Sequence, residues 1–145
     1  AQLLIDLAIT AKAHWGYSTN QLESWRSSLT VTPEQLTSQP AFLAEADRVV
    51  GFYTLHLHDG ICELDNLWVL PEEMGHGYGR ALLAHAVDTA RSRRASVIHI
   101  DADPNAMEFY LSCGAILAAS VSAPIEGETG RVRPQLTLST VGTVG

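Results

Sequence analysis

Three glycines at alternate positions, Gly75, Gly77 and Gly79, lie between a segment rich in branched and aromatic residues and a segment with helical periodicity. Glycine has no side chain, so its backbone can adopt positive φ and approach a ligand closely. The first N–H groups of a helix lack partners within the helix, and the helix dipole favours an anion there. The loop therefore indicates a phosphate site, although the spacing alone also fits a tight turn before a helix.

Two common phosphate-binding motifs do not fit this loop. A Walker loop needs Gly-Lys followed by Ser or Thr, which the sequence lacks. A Rossmann fingerprint needs wider glycine spacing and an acidic residue at the end of the next strand. Asp101 could be that acid, but an antiparallel meander before the loop is wrong for that fold.

Composition and charge exclude several classes of protein. The 145 residues are 46% hydrophobic and 17% charged, which fits one folded domain over 1–145 and excludes a disordered chain. The net charge of −7 argues against a nucleic-acid partner, because phosphate contacts need clustered cations. No apolar run reaches the roughly 18 residues of a membrane span, so we expect no membrane partner.

The cysteine count and the first residues of the sequence indicate the cellular compartment of the protein. Cys62 and Cys113 are too few for a disulfide framework, so we expect reduced thiols in a cytoplasmic protein, with no metal site. Asp6 and Lys12 interrupt the first apolar stretch, which is therefore not a signal peptide. The hydrophobic pattern indicates that the sequence begins in the middle of a helix. We therefore expect that an amino-terminal strand could be missing from it.

Hydrophobic periodicity predicts an α+β fold with a mostly antiparallel mixed sheet, one parallel pair and flanking helices. Ser18 or Thr19 can cap a second helix that turns Leu22, Trp25 and Leu29 inward. Thr32 and Gln35 fit the capping box of a short third helix. Further predicted helices cover residues 2–14 and 105–112, and another follows the glycine loop and runs to about Arg94. The third helix is short because Pro40 follows soon after it. The predicted strands cover 42–46, 49–58, 61–69, 96–101, 115–122 and 135–140, with a two-residue turn at Asp59-Gly60.

Two segments together resemble the GNAT superfamily of acetyl-CoA-dependent N-acetyltransferases. The run from Leu67-Trp68-Val69-Leu70-Pro71 to Gly75-His76-Gly77-Tyr78-Gly79-Arg80-Ala81-Leu82-Leu83 is similar to the family's acetyl-CoA motif. The run Asn105-Ala106-Met107-Glu108-Phe109-Tyr110 to Gly114 is similar to the segment that follows it. One departure is Met74, where the family commonly has Gln or Arg.

The resemblance implies acetyl-CoA as co-substrate and assigns roles to particular residues. The pyrophosphate would lie on the amides of Gly75, His76, Gly77, Tyr78, Gly79 and Arg80. The pantetheine arm would pair with the backbone of Leu67, Trp68 and Val69, and Asn105 would contact it. Tyr110 would protonate the leaving sulfur, and the amide of Val69 would stabilise the developing oxyanion.

The general base and the acceptor are less determined by the sequence. Glu63 is our first choice of base and Asp65 the second, while His56 and His58 share a face of the partner strand; each also fits an exposed polar position of a sheet. The list of candidate acceptor-site residues is Trp15, Tyr17, Trp25, Arg131 and Arg133. Arg131 and Arg133 could hold an acidic group of the acceptor, but we expect them to lie in a solvated loop.

The resulting hypothesis is a cytoplasmic enzyme that transfers acetyl from acetyl-CoA to a primary amine of a small molecule or peptide by direct attack. The alternatives are a non-catalytic acyl-CoA-binding module and a nucleotide-phosphate-binding enzyme with the same glycine loop. The acidic surface favours a cationic acceptor through long-range attraction. The apolar closing strands could also extend a sheet between two subunits of a homodimer.

Overall fold

The computed structural model describes residues 1–26, 31–125 and 128–141. The helices are α1 (Gln2–Ala13), α2 (Thr19–Arg26), α3 (Pro33–Ser38), α4 (Tyr78–Ser92) and α5 (Met107–Ser112). The strands are β1 (Ala41–Glu45), β2 (Val49–His58), β3 (Ile61–Val69), β4 (Val97–Asp101), β5 (Ile116–Ser122) and β6 (Val132–Ser139). Short 3-10 turns cover Pro71–Glu73 and Pro104–Ala106.

The six strands form one sheet in the order β1-β2-β3-β4-β6-β5. Every neighbouring pair is antiparallel except β3 and β4, which are parallel. A parallel pair needs a crossover, and here the glycine loop and α4 provide it. The predicted α+β class and its single parallel pair are confirmed.

Helices cover the two faces of the sheet and bury separate groups of apolar side chains. On one face α4 packs its Leu82, Leu83 and Ala86 against strand residues that include Leu64 and Ile98. On the other face α1 packs against Phe52 and Trp68. The site described below lies where the sheet opens between these layers.

Local signals explain most element boundaries. The turn at Asp59-Gly60 forms as predicted, with φ of 48° and 79° at its two residues. Ser18 Oγ accepts from the amide of Gln21 and so caps α2. Leu29, which we predicted to face inward, lies outside the described residues.

Two details of the prediction are wrong. Thr32 caps α3, but the reciprocal bond of the capping box is missing, because Gln35 Oε1 is buried and has no hydrogen-bond partner among the described residues. The last strand begins at Val132 rather than at residue 135 and contains Pro134. Proline cannot donate to a neighbouring strand, but Pro134 lies beyond the last pair that β6 makes with β4, Asp101 with Gln135.

Within the described parts of the chain, no helix is both long enough and apolar enough to cross a membrane.

Candidate active site

A cavity of about 660 Å³ opens where β3 and β4 separate. The parallel pairing of these strands ends at Leu64 with Ile100, so the following residues of β3 have no neighbour on that side of the sheet. The glycine loop and the start of α4 line one end of the cavity, and α1, α2 and Arg131 line the other. One continuous space thus joins the predicted phosphate site to the residues of the amino-terminal helices.

The separation of the strands coincides with a β-bulge in β3. Leu64 pairs with Leu55 and Asn66 pairs with Thr54, so Asp65 is the extra residue that β2 skips. The bulge breaks the simple alternation that would place Glu63 and Asp65 on one face. Asp65 lines the cavity, whereas Glu63 is not among the side chains that line it.

Beyond the bulge, backbone groups of β3 face the open side of the sheet. The amide of Leu70 donates to the carbonyl of Val50, so the neighbouring pair of Val69 and Gly51 is a non-hydrogen-bonded pair of the antiparallel ladder. The N–H and C=O of Val69, and by alternation those of Leu67, therefore point away from β2 into the gap. Trp68 directs its backbone groups towards β2 instead.

The glycine loop has the conformation that its composition predicts. Gly75 and Gly77 have φ of 85° and 86°, in the left-handed region that residues with a side chain rarely adopt. Gly77 is the N-cap of α4, so the first amides of this 15-residue helix are free of helical partners. Gly79 has another role, because a Cβ there would lie 3.3 Å from Phe109 Cζ. It allows α4 to approach α5 closely.

The charged side chains around this loop are largely paired with each other. Glu72 is bonded to Arg48 at 2.5 Å, and Glu73 lies 3.2 Å from His76 Nδ1. Arg80 lines the cavity and donates to Ser112 Oγ at 3.3 Å. The repulsion that Glu72 and Glu73 would exert on an anion is thereby reduced, and the exposed Met74 adds no charge.

Tyr110 lines the cavity and is only 7% exposed. Burial raises the pKa of its hydroxyl well above the ordinary value, so the proton is retained at neutral pH. Its ring packs edge-to-face on Phe109. Tyr110 is therefore fixed by packing and carries a protonated hydroxyl, which is the state that a general acid requires.

Five side chains meet around Asp103 at the cavity, and we call them the acceptor-end cluster because three of them are candidate acceptor-site residues from the sequence. They are Lys12, Tyr17, Trp25, Asp103 and Arg131. Asp103 is the centre of this cluster, with its Oδ2 2.6 Å from Lys12 Nζ, 2.9 Å from the Tyr17 hydroxyl and 3.4 Å from Arg131 Nη2. Lys12 Nζ also lies 3.9 Å from the centre of the Trp25 ring, in reach of a cation–π interaction.

The cluster is poorly exposed to water. The side chains of Asp103 and Arg131 are each 6% exposed and that of Lys12 is 12% exposed. Burial lowers the pKa of Lys12 despite its bond to Asp103. Burial alone would raise the pKa of Asp103, but the bond and charge of Lys12 outweigh it, and the pKa lies below the usual range. The 2.6 Å contact favours a pair in which both groups are charged.

The structure gives the positions of three further candidate residues, Asn105, Arg131 and Arg133. Asn105 lines the cavity, but its side-chain nitrogen donates to the hydroxyl of Tyr17 and to Asp103 at 2.9 Å. Arg131 is not solvated, so the expectation of a solvated loop is wrong for it: the loop returns across the cavity and buries this side chain. Arg133 is half-exposed and pairs with Asp101. Lys12 and Asp103 were missed as site residues.

Glu63 lies outside the cavity and faces His56 and His58 across the hairpin. Its carboxylate oxygens lie 3.8 Å from His56 Nδ1 and 3.5 Å from His58 Nε2. The three side chains are each about half exposed. Its role as the base stays a prediction, and of the two predicted bases only Asp65 lines the cavity.

Cys62 is buried in the core and Cys113 is partly buried, and both are free thiols. Burial raises the pKa of Cys62 to about 11, so this thiol is largely unreactive at neutral pH.

The fold and the cavity define a class of protein, and the comparisons agree with it. A mixed sheet that opens beside a glycine loop and the N-terminus of α4 is the arrangement that the resemblance implies. The family model described as Acetyltransferase (GNAT) family matches residues 6–115. The chain belongs to this family of acetyltransferases, which confirms the resemblance seen in the sequence.

Solved structures share the fold at low sequence identity. The GCN5-related N-acetyltransferase described as "Aminotransferase, Class-II" from Rhodopseudomonas palustris has a TM-score of 0.76 at 24% identity, over 95% of this chain and 88% of that one. The PaiA N-acetyltransferase from Thermoplasma acidophilum, solved with coenzyme A, has a TM-score of 0.75 at 18% identity, over 95% and 91%. An aminoglycoside 6′-N-acetyltransferase, also solved with coenzyme A, has a TM-score of 0.65 at 16% identity, over 100% and 95%. No curated protein matches the chain in sequence.

Proposed function

We propose that the protein is an N-acetyltransferase that moves acetyl from acetyl-CoA to a primary amine by direct attack, without a covalent enzyme intermediate. The observation that carries this proposal is the single cavity that joins the glycine loop, the open edge of β3, Tyr110 and the acceptor-end cluster. An enzyme that joins two substrates directly must hold both in one space, and this cavity of about 660 Å³ is lined by both groups of residues.

The residues of one end fit a coenzyme A molecule. The first amides of α4 and the backbone around Gly75 and Gly77 would hold the pyrophosphate, with Arg80 as an additional cation. The backbone groups of Leu67 and Val69 that face the gap would bond the pantetheine amides as a neighbouring strand would. That two similar structures were solved with coenzyme A supports this assignment.

Acetyl-CoA supplies an activated acetyl group, and the thioester C–S bond breaks as the amide bond forms. Tyr110 would give a proton to the departing sulfur, because burial keeps its hydroxyl protonated. The amide of Val69 would donate to the thioester oxygen as negative charge develops there. Asp65 would take the proton that the attacking amine loses, directly or through water, since the bulge turns this residue to the cavity.

No covalent step on a cysteine is needed. Cys62 is buried with a raised pKa, and Cys113 follows α5. A cytoplasmic location, a homodimer and the absence of a nucleic-acid or membrane partner stay predictions from the sequence.

The test is an acetylation assay with a panel of amines, read by the release of free thiol from acetyl-CoA. We expect saturable thiol release that depends on the amine and an acetylated product of matching mass. Acetyl-CoA binding without amine-dependent thiol release would favour a non-catalytic acyl-CoA-binding module. Binding of ATP in preference to acetyl-CoA would favour a nucleotide enzyme and overturn the proposal.

A further inference from the structure

The acceptor-end cluster holds more positive than negative charge in a nearly dry place. Lys12 and Arg131 are cations, and within the cluster the carboxylate of Asp103 contacts both of them. All three side chains are nearly buried, because Lys12 is 12% exposed and Arg131 and Asp103 are each 6% exposed. Buried cations without matching anions are costly, so an excess charge at such a position needs an explanation.

The carboxylate of Asp103 is committed mainly to Lys12. The Lys12 contact is 2.6 Å, within the range of a strong charge-assisted hydrogen bond, whereas the Arg131 contact is 3.4 Å. Tyr17 and Asn105 use further acceptor sites on the same carboxylate. Within the cluster, Asp103 therefore pairs mainly with Lys12, and its contact with Arg131 is the weaker of the two.

The hydrogen bonds of Arg131 do not use all of the N–H donors of its guanidinium. Its Nη1 donates to the carbonyl of Ala123 at 3.2 Å, and its Nη2 lies 3.3 Å from the hydroxyl of Tyr17. Its Nε is buried and has no hydrogen-bond partner among the described residues. A guanidinium carries five N–H donors, so these contacts leave donor capacity at the terminal nitrogens of a side chain that lines the cavity, although not at the buried Nε.

We infer that the acceptor is an amine that also carries a carboxylate, and that Arg131, supported by Lys12, binds this carboxylate. This inference rests on the proposed function, because it places the acceptor at the end of the cavity opposite the glycine loop. A guanidinium matches the planar geometry of a carboxylate through paired hydrogen bonds. The rings of Tyr17 and Trp25 lie within 5.5 Å of the guanidinium carbon and add an apolar wall beside it.

The acidic surface of the protein and the cationic cluster then act on different groups of the acceptor. The net charge of −7 attracts an ammonium group from a distance. The cluster recognises the carboxylate at contact range, where burial strengthens each charged hydrogen bond. A plain polyamine lacks the second group and would bring further positive charge towards Lys12 and Arg131.

The experiment compares each standard amino acid with its own carboxamide as acceptor in the thiol-release assay. We expect kcat/KM for the best amino acid to exceed that of its carboxamide about tenfold or more, as for loss of a charged hydrogen-bonded partner. Arg131→Gln is expected to raise KM for the amino acid about tenfold and to leave the carboxamide nearly unchanged. Arg131→Lys retains the charge and is expected to keep part of the preference.

The matched control is Arg93→Gln, which removes the same charge from an exposed position after α4, outside the cavity. It is expected to leave the preference unchanged. Equal or better turnover of carboxamides or of spermidine by the unaltered enzyme would overturn the inference and leave the acetyltransferase proposal standing.

A binding measurement keeps the two proposals separable. Calorimetric titration with N-acetylated amino acids and with their carboxamides needs no turnover. Preferential binding of the carboxylates that disappears in Arg131→Gln supports the carboxylate site even if acetyl-CoA does not bind. Equal binding of the two series, or a preference that survives in Arg131→Gln, overturns it.

Discussion

The two ends of the cavity are built in different ways. The phosphate end uses backbone groups of consecutive residues, from the positive φ of Gly75 and Gly77 to the first amides of α4. The acceptor end uses side chains from distant parts of the chain, such as Lys12 on α1, Asp103 after β4 and Arg131 before β6. A backbone site follows from local sequence, whereas a side-chain site depends on the whole fold. Substitutions should therefore act differently at the two ends.

The largest effect is expected at the centre of the acceptor end. Asp103→Asn leaves Lys12 and Arg131 buried without a counter-charge, and we expect a loss of about 3 kcal/mol in the free energy of unfolding. Urea denaturation at neutral pH measures this loss. The control, Asp101→Asn, breaks a half-exposed pair with Arg133 and should cost less than about 1 kcal/mol. Equal effects of the two variants would contradict the central position of Asp103.

The same carboxylate gives a pH dependence with a defined sign. Because the folded protein lowers the pKa of Asp103, its contribution to stability is complete above the ordinary aspartate pKa of about 3.9. The contribution is lost as the pH falls through the lower pKa of the folded state. Denaturation curves at several pH values should therefore show the gap between the wild-type protein and Asp103→Asn closing in acid. A gap that widens in acid would contradict this assignment.

Tyr110 lies between the two ends, and its loss should affect turnover rather than binding. Tyr110→Phe should lower kcat about 100-fold, the range of a general acid, with little change in the dissociation constant of acetyl-CoA. The control is Tyr53→Phe, which removes a hydroxyl bonded to His85 and Thr89 outside the cavity. It should lower stability by about 1 kcal/mol and leave kcat unchanged. Unchanged kcat in Tyr110→Phe would refute the assigned role.

At the phosphate end, backbone conformation should decide affinity. Gly77→Val places a β-branched residue at φ of 86°, and the strain should weaken acetyl-CoA binding about tenfold or more. Gly60→Val introduces similar strain at φ of 79° in the hairpin turn, away from the cavity. It should lower stability without changing acetyl-CoA affinity by calorimetry. Loss of affinity in both variants would show a general folding defect instead.

The smallest effect is expected where the phosphate end packs on α5. Gly79→Ala puts a Cβ 3.3 Å from Phe109 Cζ, so the ring must shift by a few tenths of an ångström. We expect a loss of stability of about 1 kcal/mol in thermal or urea denaturation. A stabilising effect, as expected for alanine in an unconstrained helix, would show that the contact between the helices relaxes freely.

The contrast between the ends also explains what the sequence could predict. The hairpin at Asp59-Gly60 and the glycine loop depend on residues close together in the chain, and both were predicted. The parallel pair joins residues 36 positions apart, such as Cys62 and Ile98, but the order of strand, helix and strand predicts it. Gln35 was expected to complete a capping box, but tertiary packing buried its side-chain oxygen without a partner. The bulge at Asp65 had no local signal, because it depends on how β2 and β3 pair.

At the acceptor end, sequence reasoning named Tyr17, Trp25 and Arg131 as candidates but missed Lys12 and Asp103. A signal for Lys12 existed, since it lies one helical turn after the buried Ala8 and beside the buried Ala11 of α1. A charged side chain beside an apolar stripe suggests a buried partner. For Arg131 no local signal existed, because its neighbours resemble a polar loop and only the return of the chain across the cavity buries it.

The central claim is that the cavity holds coenzyme A at the glycine loop, and calorimetric titration with acetyl-CoA tests it most directly. ATP and dephospho-CoA serve as comparisons in the same experiment. We predict one acetyl-CoA site with a dissociation constant in the roughly micromolar range, and weaker binding of ATP, which lacks the pantetheine arm. Binding of ATP with no binding of acetyl-CoA would contradict the account and assign the glycine loop to a nucleotide enzyme.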